Sequence, residues 1–295
     1  IPWFASGAAI LAAIGLWLGF GVAPADFQQG EVYRVIFIHV PSAWLSMFLY
    51  VVMAFWGALA LGFGTRLSGM MAQAIAPTGA LMTFIALWTG ALWGRPTWGT
   101  YWAWDARMTS ELILLFLYLG IIALRQAIGD PRRADRACAV LSIVGVVNIP
   151  IIYFSVKWWN TLHQGASVKL TGSSMETTML AGMLVMSFAF WFYSIAVVLA
   201  RLRAIVLERE RDAAWVGALP DVRSAAGAMI PSLHGSGAVK TYLPYGPFLC
   251  LAAYIVMLTW RWIWMFELSL SHASPAGDRL TTFAAPDTDS AGSGY

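Results

Sequence analysis

The stretch that decides the fold class is TMLAGMLVMSFAFWFYSIAVVLA, residues 178–200, in which no side chain carries a charge. A helix needs about 20 such residues to cross the apolar core of a bilayer. Five more runs of this kind occur, without the alternation of apolar and polar residues that is typical of barrel strands. We therefore predict an all-α polytopic membrane protein with six transmembrane helices. The predicted spans cover residues 3–22, 42–63, 71–93, 112–128, 137–156 and 178–200.

The overall composition excludes an ordinary water-soluble protein. Hydrophobic residues make up 59% of the chain and charged residues only 11%, with a mean hydropathy of +0.68. Soluble domains carry about 25% charged residues, enough to cover a compact surface. The net charge of +3 comes from basic residues in short loops, which indicates membrane topology rather than binding of nucleic acid. The lipid bilayer is therefore the expected surrounding of the chain.

The C-terminal part of the chain has a different composition. We predict a polar linker over residues 212–241 and a disordered tail over 271–295, with a weaker apolar run over 242–270 between them. That run contains Pro244, Pro247 and Arg261, so it either spans the membrane as a seventh helix or lies in the interface. Residues 235–241 read GSGAVKT and lack the Gly-Lys-Ser/Thr ending of a phosphate-binding loop, so any energy would come from a partner.

The distribution of Lys and Arg predicts the orientation of the spans. Arginines are more frequent in the loops after the second, fourth and sixth spans than in the loops after the first, third and fifth. Because cytoplasmic loops are the richer in Lys and Arg, the N-terminus is predicted to be cytoplasmic. By this parity, the loops with His39, with Trp98–Arg107 and with His163 all lie on the outer side.

The predicted outer loop 94–109 carries an unusual group of aromatic and charged residues. Its candidate ligand-binding residues are Arg95, Trp98, Tyr101, Trp102, Trp104, Asp105 and Arg107. Aromatic faces flanked by cations suit a large, flat, apolar ligand with acidic groups, such as a porphyrin with its propionates. The competing interpretation is an interfacial aromatic belt with arginines that reach the headgroups, in which Asp105 caps a helix or pairs with Arg107.

Two histidines, His39 and His163, are predicted on the same side as this loop. Neutral imidazole is a common axial ligand of heme iron, and two histidines beside an aromatic platform could bind heme from both faces. Each histidine alone is more often a hydrogen-bonded interfacial residue. His234 and His272 lie in the C-terminal part, and no role is assigned to them.

Three blocks of the sequence carry a resemblance to a known family. The run WGTYWAWDAR, residues 98–107, resembles the tryptophan-rich signature of the heme-handling protein superfamily. Its continuation MTSELILLFLY (108–118), with IHVPSAW (38–44) and WWNTLHQ (158–164), resembles the cytochrome c maturation protein C branch, also called heme exporter protein C. The resemblance covers residues 3 to 211. Tyr101 stands where a tryptophan is usual, and residues 212–295 are not part of the pattern.

The resemblance implies a non-enzymatic protein of the bacterial inner membrane with six spans and both ends of that domain cytoplasmic. It implies that heme b is held without a covalent bond at the periplasmic face, with His39 and His163 as the axial ligands. The heme would pass to a periplasmic heme chaperone. An ABC-type ATPase, a permease and a small single-span subunit are the other implied partners. For the propionates, Arg95 and Arg107 are the first candidates, and Lys157 and Lys169 are weaker ones.

Three other functions remain open from the sequence. A heme ligase would attach heme directly to apocytochrome c, but related ligases have larger outer domains. A diheme electron carrier usually holds its hemes between histidines inside the spans, whereas both histidines here are predicted in loops. A permease subunit without a cofactor would leave the tryptophans as a belt. The two cysteines, Cys138 and Cys250, form no CxxCH motif, so covalent attachment of heme to this chain is not expected.

Overall fold

Six helical segments long and apolar enough to cross a membrane are present in the part of the chain that the computed structural model describes, residues 1–163, 165, 167–169 and 172–211. The predicted fold class is confirmed. The helices are α1 (Pro2–Leu16, continued by a π-helical segment Trp17–Val22), α2 (Ile36–Phe63, preceded by a 3-10 turn Glu31–Val35), α3 (Arg66–Trp98), α4 (Ala106–Ala127), α5 (Pro131–Gly145), α6 (Asn148–Trp158) and α7 (Thr177–Arg209). A two-stranded hairpin, β1 (Val168–Lys169) and β2 (Gly172–Ser173), lies between α6 and α7.

The fifth span is divided into α5 and α6, although the apolar run 137–156 predicts a single helix. Pro150 has no N–H to donate to the carbonyl of Val146, four residues earlier. That carbonyl instead accepts from the N–H of Ile149 at 2.9 Å, and the N–H of Val147 bonds to Val144. The chain therefore tightens into a short turn of i to i+3 hydrogen bonds before the helix continues.

Two helices extend further than the apolar runs predict. Helix α2 begins at Ile36, so the prediction that His39 lies in a loop is wrong. Helix α3 continues to Trp98 and α4 begins at Ala106, so the predicted loop 94–109 is reduced to residues 99–105. Pro41 precedes the apolar run 42–63 and Pro96 follows the run 71–93, yet both lie inside helices. Backbone groups near lipid are best satisfied within a helix.

Local signals explain where the helices around this connection end and begin. Helix α3 ends at Gly99, whose φ of 78° is in the left-handed region that glycine adopts without strain. Helix α4 begins after Asp105, whose carboxylate accepts from the N–H of Met108 at 2.8 Å. The chain thus reverses its direction between α3 and α4 in a short turn. This turn brings the aromatic residues of the connection close to both helix ends.

Helix α2 is the centre of the packing and contacts α3, α5 and α7, while α1 lies along α7. Small residues allow close approach: a Cβ on Gly79 of α3 would collide with the ring of Tyr118 on α4. Tyr50 and Tyr118 are fully buried and meet edge to face at 5.0 Å between ring centroids. The mainly aliphatic core therefore also contains aromatic rings with polar hydroxyls.

A cluster of charged and polar residues joins α3, α4, α5 and α7 at the end of the bundle opposite to His39 and Trp98. Asp135 accepts from Arg209 at 2.8 Å and from Arg125, and Arg209 also donates to Gln73 at 2.7 Å. This ion cluster links α3, α4, α5 and α7. The predicted linker 212–241, the run 242–270 and the tail 271–295 lie outside the described residues.

Candidate functional site

His39 lies in the second turn of α2, and its imidazole is held by α3. Its Nδ1 is 3.1 Å from the hydroxyl oxygen of Thr89. That hydroxyl donates its own hydrogen to the carbonyl of Ile85 at 2.6 Å, so towards His39 it can only accept. Nδ1 of the neutral imidazole therefore carries the hydrogen, and Nε2 keeps a lone pair that can bind a metal.

Helix α3 also shapes the space around the His39 ring. Trp93 meets it edge to face at 5.6 Å between ring centroids, and the Trp93 indole N–H donates to Gln29 at 2.9 Å. A Cβ on Gly90 would lie 2.9 Å from Cε1 of His39. The imidazole is thus enclosed by a glycine on one side and an anchored indole on another, which fixes its orientation.

His163 follows α6 and is held by the residue that begins α4. Its Nδ1 is 3.3 Å from Oδ2 of Asp105, and the same oxygen accepts from the N–H of Leu162 at 3.2 Å. Oδ1 of Asp105 is the helix cap of α4, and its side chain is only 8% exposed. A carboxylate accepts hydrogen bonds, so Nδ1 of His163 carries the hydrogen here as well, and Nε2 is free to bind a metal.

The charges around His163 favour its neutral form. Burial lowers the pKa of His163 and the cation of Arg107 lowers it further, while Asp105 opposes both effects. Arg107 also acts electrostatically on His39, and so does His163. The two imidazoles and Arg107 therefore belong to one electrostatic cluster, although 124 residues separate the histidines in the sequence.

Trp98 connects the end of α3 with His163. The two rings pack with their centroids 4.8 Å apart and their planes at 60°. Arg95, one turn earlier, donates to the carbonyl of Gly99, and its guanidinium lies 5.7 Å from the centroid of the Tyr101 ring. Arg95 therefore stabilises the turn at Gly99, whereas Trp98 contacts the candidate ligand His163.

The remaining two tryptophans of the connection form an edge-to-face pair. The ring centroids of Trp102 and Trp104 are 5.4 Å apart. Trp104 is 78% exposed, whereas the indole nitrogen of Trp102 is buried and has no hydrogen-bond partner within the described part of the chain. A buried N–H without an acceptor is costly, so this donor is a candidate for a hydrogen bond to an acidic group of a ligand.

The other cations differ in what they contact. Arg107 donates to the carbonyl of Ile152 at 3.3 Å and is partly buried close to both histidines. Lys157, at the end of α6, lies 5.6 Å from the centroid of the Phe154 ring. The side chain of Lys169 is not among the described atoms. Arg107 is therefore the cation that the fold places in the site.

The candidate residues thus form one group at a single end of the bundle, which we call the Trp-rich end. It consists of the start of α2, the end of α3, residues 99–105, the start of α4 and the segment after α6. Two imidazoles meet there with exposed aromatic rings, a buried indole donor and a cation, and within the described part of the chain neither imidazole has a hydrogen bond to its Nε2. This set of groups suits a flat metalloporphyrin with acidic substituents.

Comparison with known proteins identifies a family that matches most of the chain. The family model of heme exporter protein C matches residues 1–217. The chain belongs to the heme exporter protein C family. It is 52% identical to heme exporter protein C of Bradyrhizobium diazoefficiens over 210 residues, which cover 71% of this chain and 80% of that protein. It is 46% identical to the Escherichia coli K12 protein over 219 residues, which cover 74% and 89%.

A similar protein of Haemophilus influenzae, also named heme exporter protein C, is 45% identical over 219 residues. The resemblance read from the three sequence blocks is therefore confirmed. The family match ends at residue 217, close to Arg211, where the sequence pattern ends.

Three residues that position the site were not predicted: Thr89, Trp93 and Gln29. Thr89 and Trp93 are four residues apart, so they lie on one face of α3, with Gly90 next to them. That spacing was available as a signal. It could not be linked to His39, because the contact depends on the extension of α2 beyond its apolar run.

Proposed function

We propose that this protein binds heme at the Trp-rich end, which faces the periplasm, and delivers it to a periplasmic heme chaperone for the biogenesis of c-type cytochromes. The observation that supports it most is the pair of histidines. Each has its Nδ1 bonded to an oxygen acceptor, Thr89 or Asp105, and its Nε2 has no hydrogen bond within the described residues. Membership of the heme exporter protein C family supports a role in heme handling for cytochrome c biogenesis.

His39 and His163 are proposed as the axial ligands of the iron. Acceptors on the non-ligating nitrogen fix the tautomer and the ring orientation and make the ligating nitrogen more basic. Both imidazoles have such an acceptor, although one is a neutral hydroxyl and the other a carboxylate. His163 should therefore be the stronger electron donor to iron, and His39 the ligand that is displaced more easily.

The aromatic residues Trp98, Tyr101, Trp102 and Trp104, with Asp105 behind His163, are proposed as the platform for the porphyrin. Trp98 is fixed against His163, and the Trp102 indole can donate a hydrogen bond to a propionate. Trp104 and Tyr101 are exposed, as a surface that meets an apolar ring would be. Burial of these faces against heme would replace their contact with water or headgroups.

Arg107 is the proposed partner of a propionate, with Arg95 as the second candidate. Arg107 is partly buried and its electrostatic effect reaches both histidines, so an anion near it lies near the iron ligands. Arg95 is more exposed and bonds to the turn at Gly99. A charge-assisted bond to Arg107 is the stronger of the two, because it is less screened by water.

The heme is proposed to be heme b, held without a covalent bond, and it is cargo rather than a permanent cofactor. The protein would bind, orient and release it without catalysing a reaction. The proposed partners are the chaperone, an ABC-type ATPase and permease, and a small single-span subunit in the bacterial inner membrane. These partners rest on the family resemblance, as does the periplasmic orientation, which the distribution of arginines also supports.

A transfer experiment tests this function against the heme ligase alternative. The protein, purified with heme, is mixed either with the periplasmic heme chaperone or with an apocytochrome that contains a CxxCH motif. We expect heme to move to the chaperone and no thioether bond to form with the apocytochrome. Covalent attachment to the apocytochrome without the chaperone would contradict the proposal, and so would a protein that is colourless when isolated from heme-rich cells.

A further inference from the structure

Glu111 is a buried carboxyl group that the proposed heme site does not use. It lies on α4, one helical turn from Arg107, and is 8% exposed. Among the described residues inside the membrane-spanning helices, Glu111 is the carboxyl group that is buried as a whole residue. A carboxyl group in a membrane-spanning helix is costly to bury, and such residues usually have a function.

The hydrogen bonds of Ser46 show how this position can hold a protonated carboxyl group. The Ser46 hydroxyl oxygen is 2.8 Å from the carbonyl of Ala43 and 2.8 Å from Oε1 of Glu111. A hydroxyl has one hydrogen to donate, and a carbonyl can only accept. Both contacts are hydrogen bonds when Ser46 donates to Ala43 and a protonated Glu111 donates to Ser46. An ionised Glu111 would have to compete with that carbonyl for a single hydrogen.

The charges near Glu111 belong mainly to its own helix. Arg107 and Glu111 act on each other electrostatically, and Asp105 acts on Arg107 from the helix cap. Glu111 also acts on the Tyr118 hydroxyl, which donates to the carbonyl of Ser46 and lies next to Tyr50 of α2. Among the described residues, Arg107 is the charged group that acts on Glu111 most directly.

Besides Asp105 and Glu111, which act on Arg107 within the chain, an anionic group of the ligand is a further possible counter-charge for this guanidinium. When no ligand is bound, an ionised Glu111 can balance the buried guanidinium. When a carboxylate of the ligand pairs with Arg107, a second negative charge one turn away becomes unfavourable. The carboxyl group of Glu111 then gains by taking up a proton and donating it to Ser46.

We propose that Glu111 is a proton-binding residue whose protonation is coupled to the binding of a heme propionate at Arg107. One proton from water forms an O–H bond on the Glu111 carboxylate, and Arg107 keeps its proton throughout. Glu111 acts through Arg107 and does not touch the ligand, so it is a positioning residue. The inference rests on the proposed function, since it requires that heme binds at Arg107.

The coupling predicts how heme affinity depends on pH. Uptake of one proton makes the dissociation constant rise by at most about tenfold per pH unit, in the range where Glu111 is ionised in the free protein. The affinity should therefore fall as the pH rises. Protonation of His163 has the opposite sign, because it weakens heme binding as the pH falls, so the two effects are separable.

The test is the dissociation constant of heme as a function of pH for the purified full-length chain and for Glu111→Gln. Glutamine resembles the protonated carboxyl group, so this variant should still bind heme through both histidines but lose the decrease in affinity towards high pH. Glu31→Gln, an exposed residue paired with Arg34, is the matched control and should behave like the parent. A pH dependence of Glu111→Gln equal to that of the parent would overturn the inference.

Infrared difference spectroscopy gives a second test that needs no variant. With glutamate labelled with ¹³C at the side-chain carboxyl, addition of heme should increase a protonated-carboxyl band that shifts with the label. No such increase would overturn the coupling. If heme binds through His39 and His163 without this band, only the inference about Glu111 fails. Heme binding that is unchanged when both histidines are replaced would overturn the proposed function and this inference with it.

Discussion

At the scale of single residues, Asp105 combines two structural functions in one carboxylate. Its Oδ1 caps α4 through the N–H of Met108, and its Oδ2 accepts from His163 and from the backbone of Leu162. The interpretation of Asp105 as a helix cap and its assignment to the site are therefore not exclusive. One residue fixes both the start of a helix and the orientation of an imidazole 58 residues away.

Asp105→Asn separates these two functions. Asparagine is as good a helix cap as aspartate, so stability should change little. The negative charge that supports His163 is lost, and we expect a loss of about 10- to 100-fold in heme affinity, as is typical of residues behind a metal ligand. Asp105→Ala should lose affinity and also about 1 kcal/mol of stability. Thermal unfolding and heme titration in detergent measure both, and unchanged affinity in Asp105→Asn would contradict the role behind His163.

The lowered pKa of His163 leads to a prediction for acidic conditions. Because burial and Arg107 lower its pKa, this imidazole should stay neutral, and able to bind iron, below the ordinary histidine pKa of about 6.5. The His163 imidazole binds a proton more readily in the unfolded chain than in the folded protein. The folded state should therefore lose stability as the pH falls below about 6.5. In the His39→Ala background, a heme titration should show ligation lost only under more acidic conditions. A midpoint above the ordinary pKa would contradict this.

At the scale of elements, the site depends on helix ends that the apolar runs do not define. The run 71–93 predicts α3 correctly, but the helix continues to Trp98 and so places that indole against His163. The start of α2 likewise places His39 beside Thr89. Hydropathy detects the lipid-exposed part of each helix, whereas the polar turns at the ends, which carry the chemistry, look like loops.

The turn at Gly99 tests how strongly the site depends on the end of α3. Gly99 and Gly64 both end a helix with a positive φ, of 78° and 65°, and neither has an atom within 4 Å of an added Cβ. Alanine at either position should cost about 1–2 kcal/mol of stability through backbone strain alone. Heme affinity should fall only in Gly99→Ala, because Gly64 lies at the other end of the bundle. Equal affinity in the two variants would show that this turn does not position the site.

At the scale of the whole molecule, composition and apolar runs were sufficient to predict the six spans, and the sequence blocks were sufficient to predict the family. Counting the crossings also predicted that the candidate site residues lie at one end of the bundle. The ring contacts of His39, Trp98 and His163 agree with this prediction. The partners Thr89 and Trp93 could not be predicted, because they depend on contacts between helices. The break at Pro150 has a local cause, the missing N–H of the proline, which the apolar run alone does not show.

The orientation of the bundle gives a prediction at this scale. In a background of Cys138→Ala and Cys250→Ala, single cysteines are introduced at Gln28, exposed in the connection α1–α2, and at Arg132, exposed in the first turn of α5. A maleimide that cannot cross the membrane should label Gln28→Cys in cells with an opened outer membrane. It should label Arg132→Cys only after the inner membrane is permeabilised. The reverse pattern would place the Trp-rich end in the cytoplasm.

The visible spectrum of the purified protein tests the central claim most directly. The parent, His39→Ala, His163→Ala and the double variant are isolated from heme-rich membranes and compared at equal protein concentration. Two axial histidines predict a sharp Soret band with resolved α and β bands on reduction, weakened in each single variant and absent in the double variant. A heme spectrum that is the same in all four proteins would contradict the assignment of His39 and His163 as ligands.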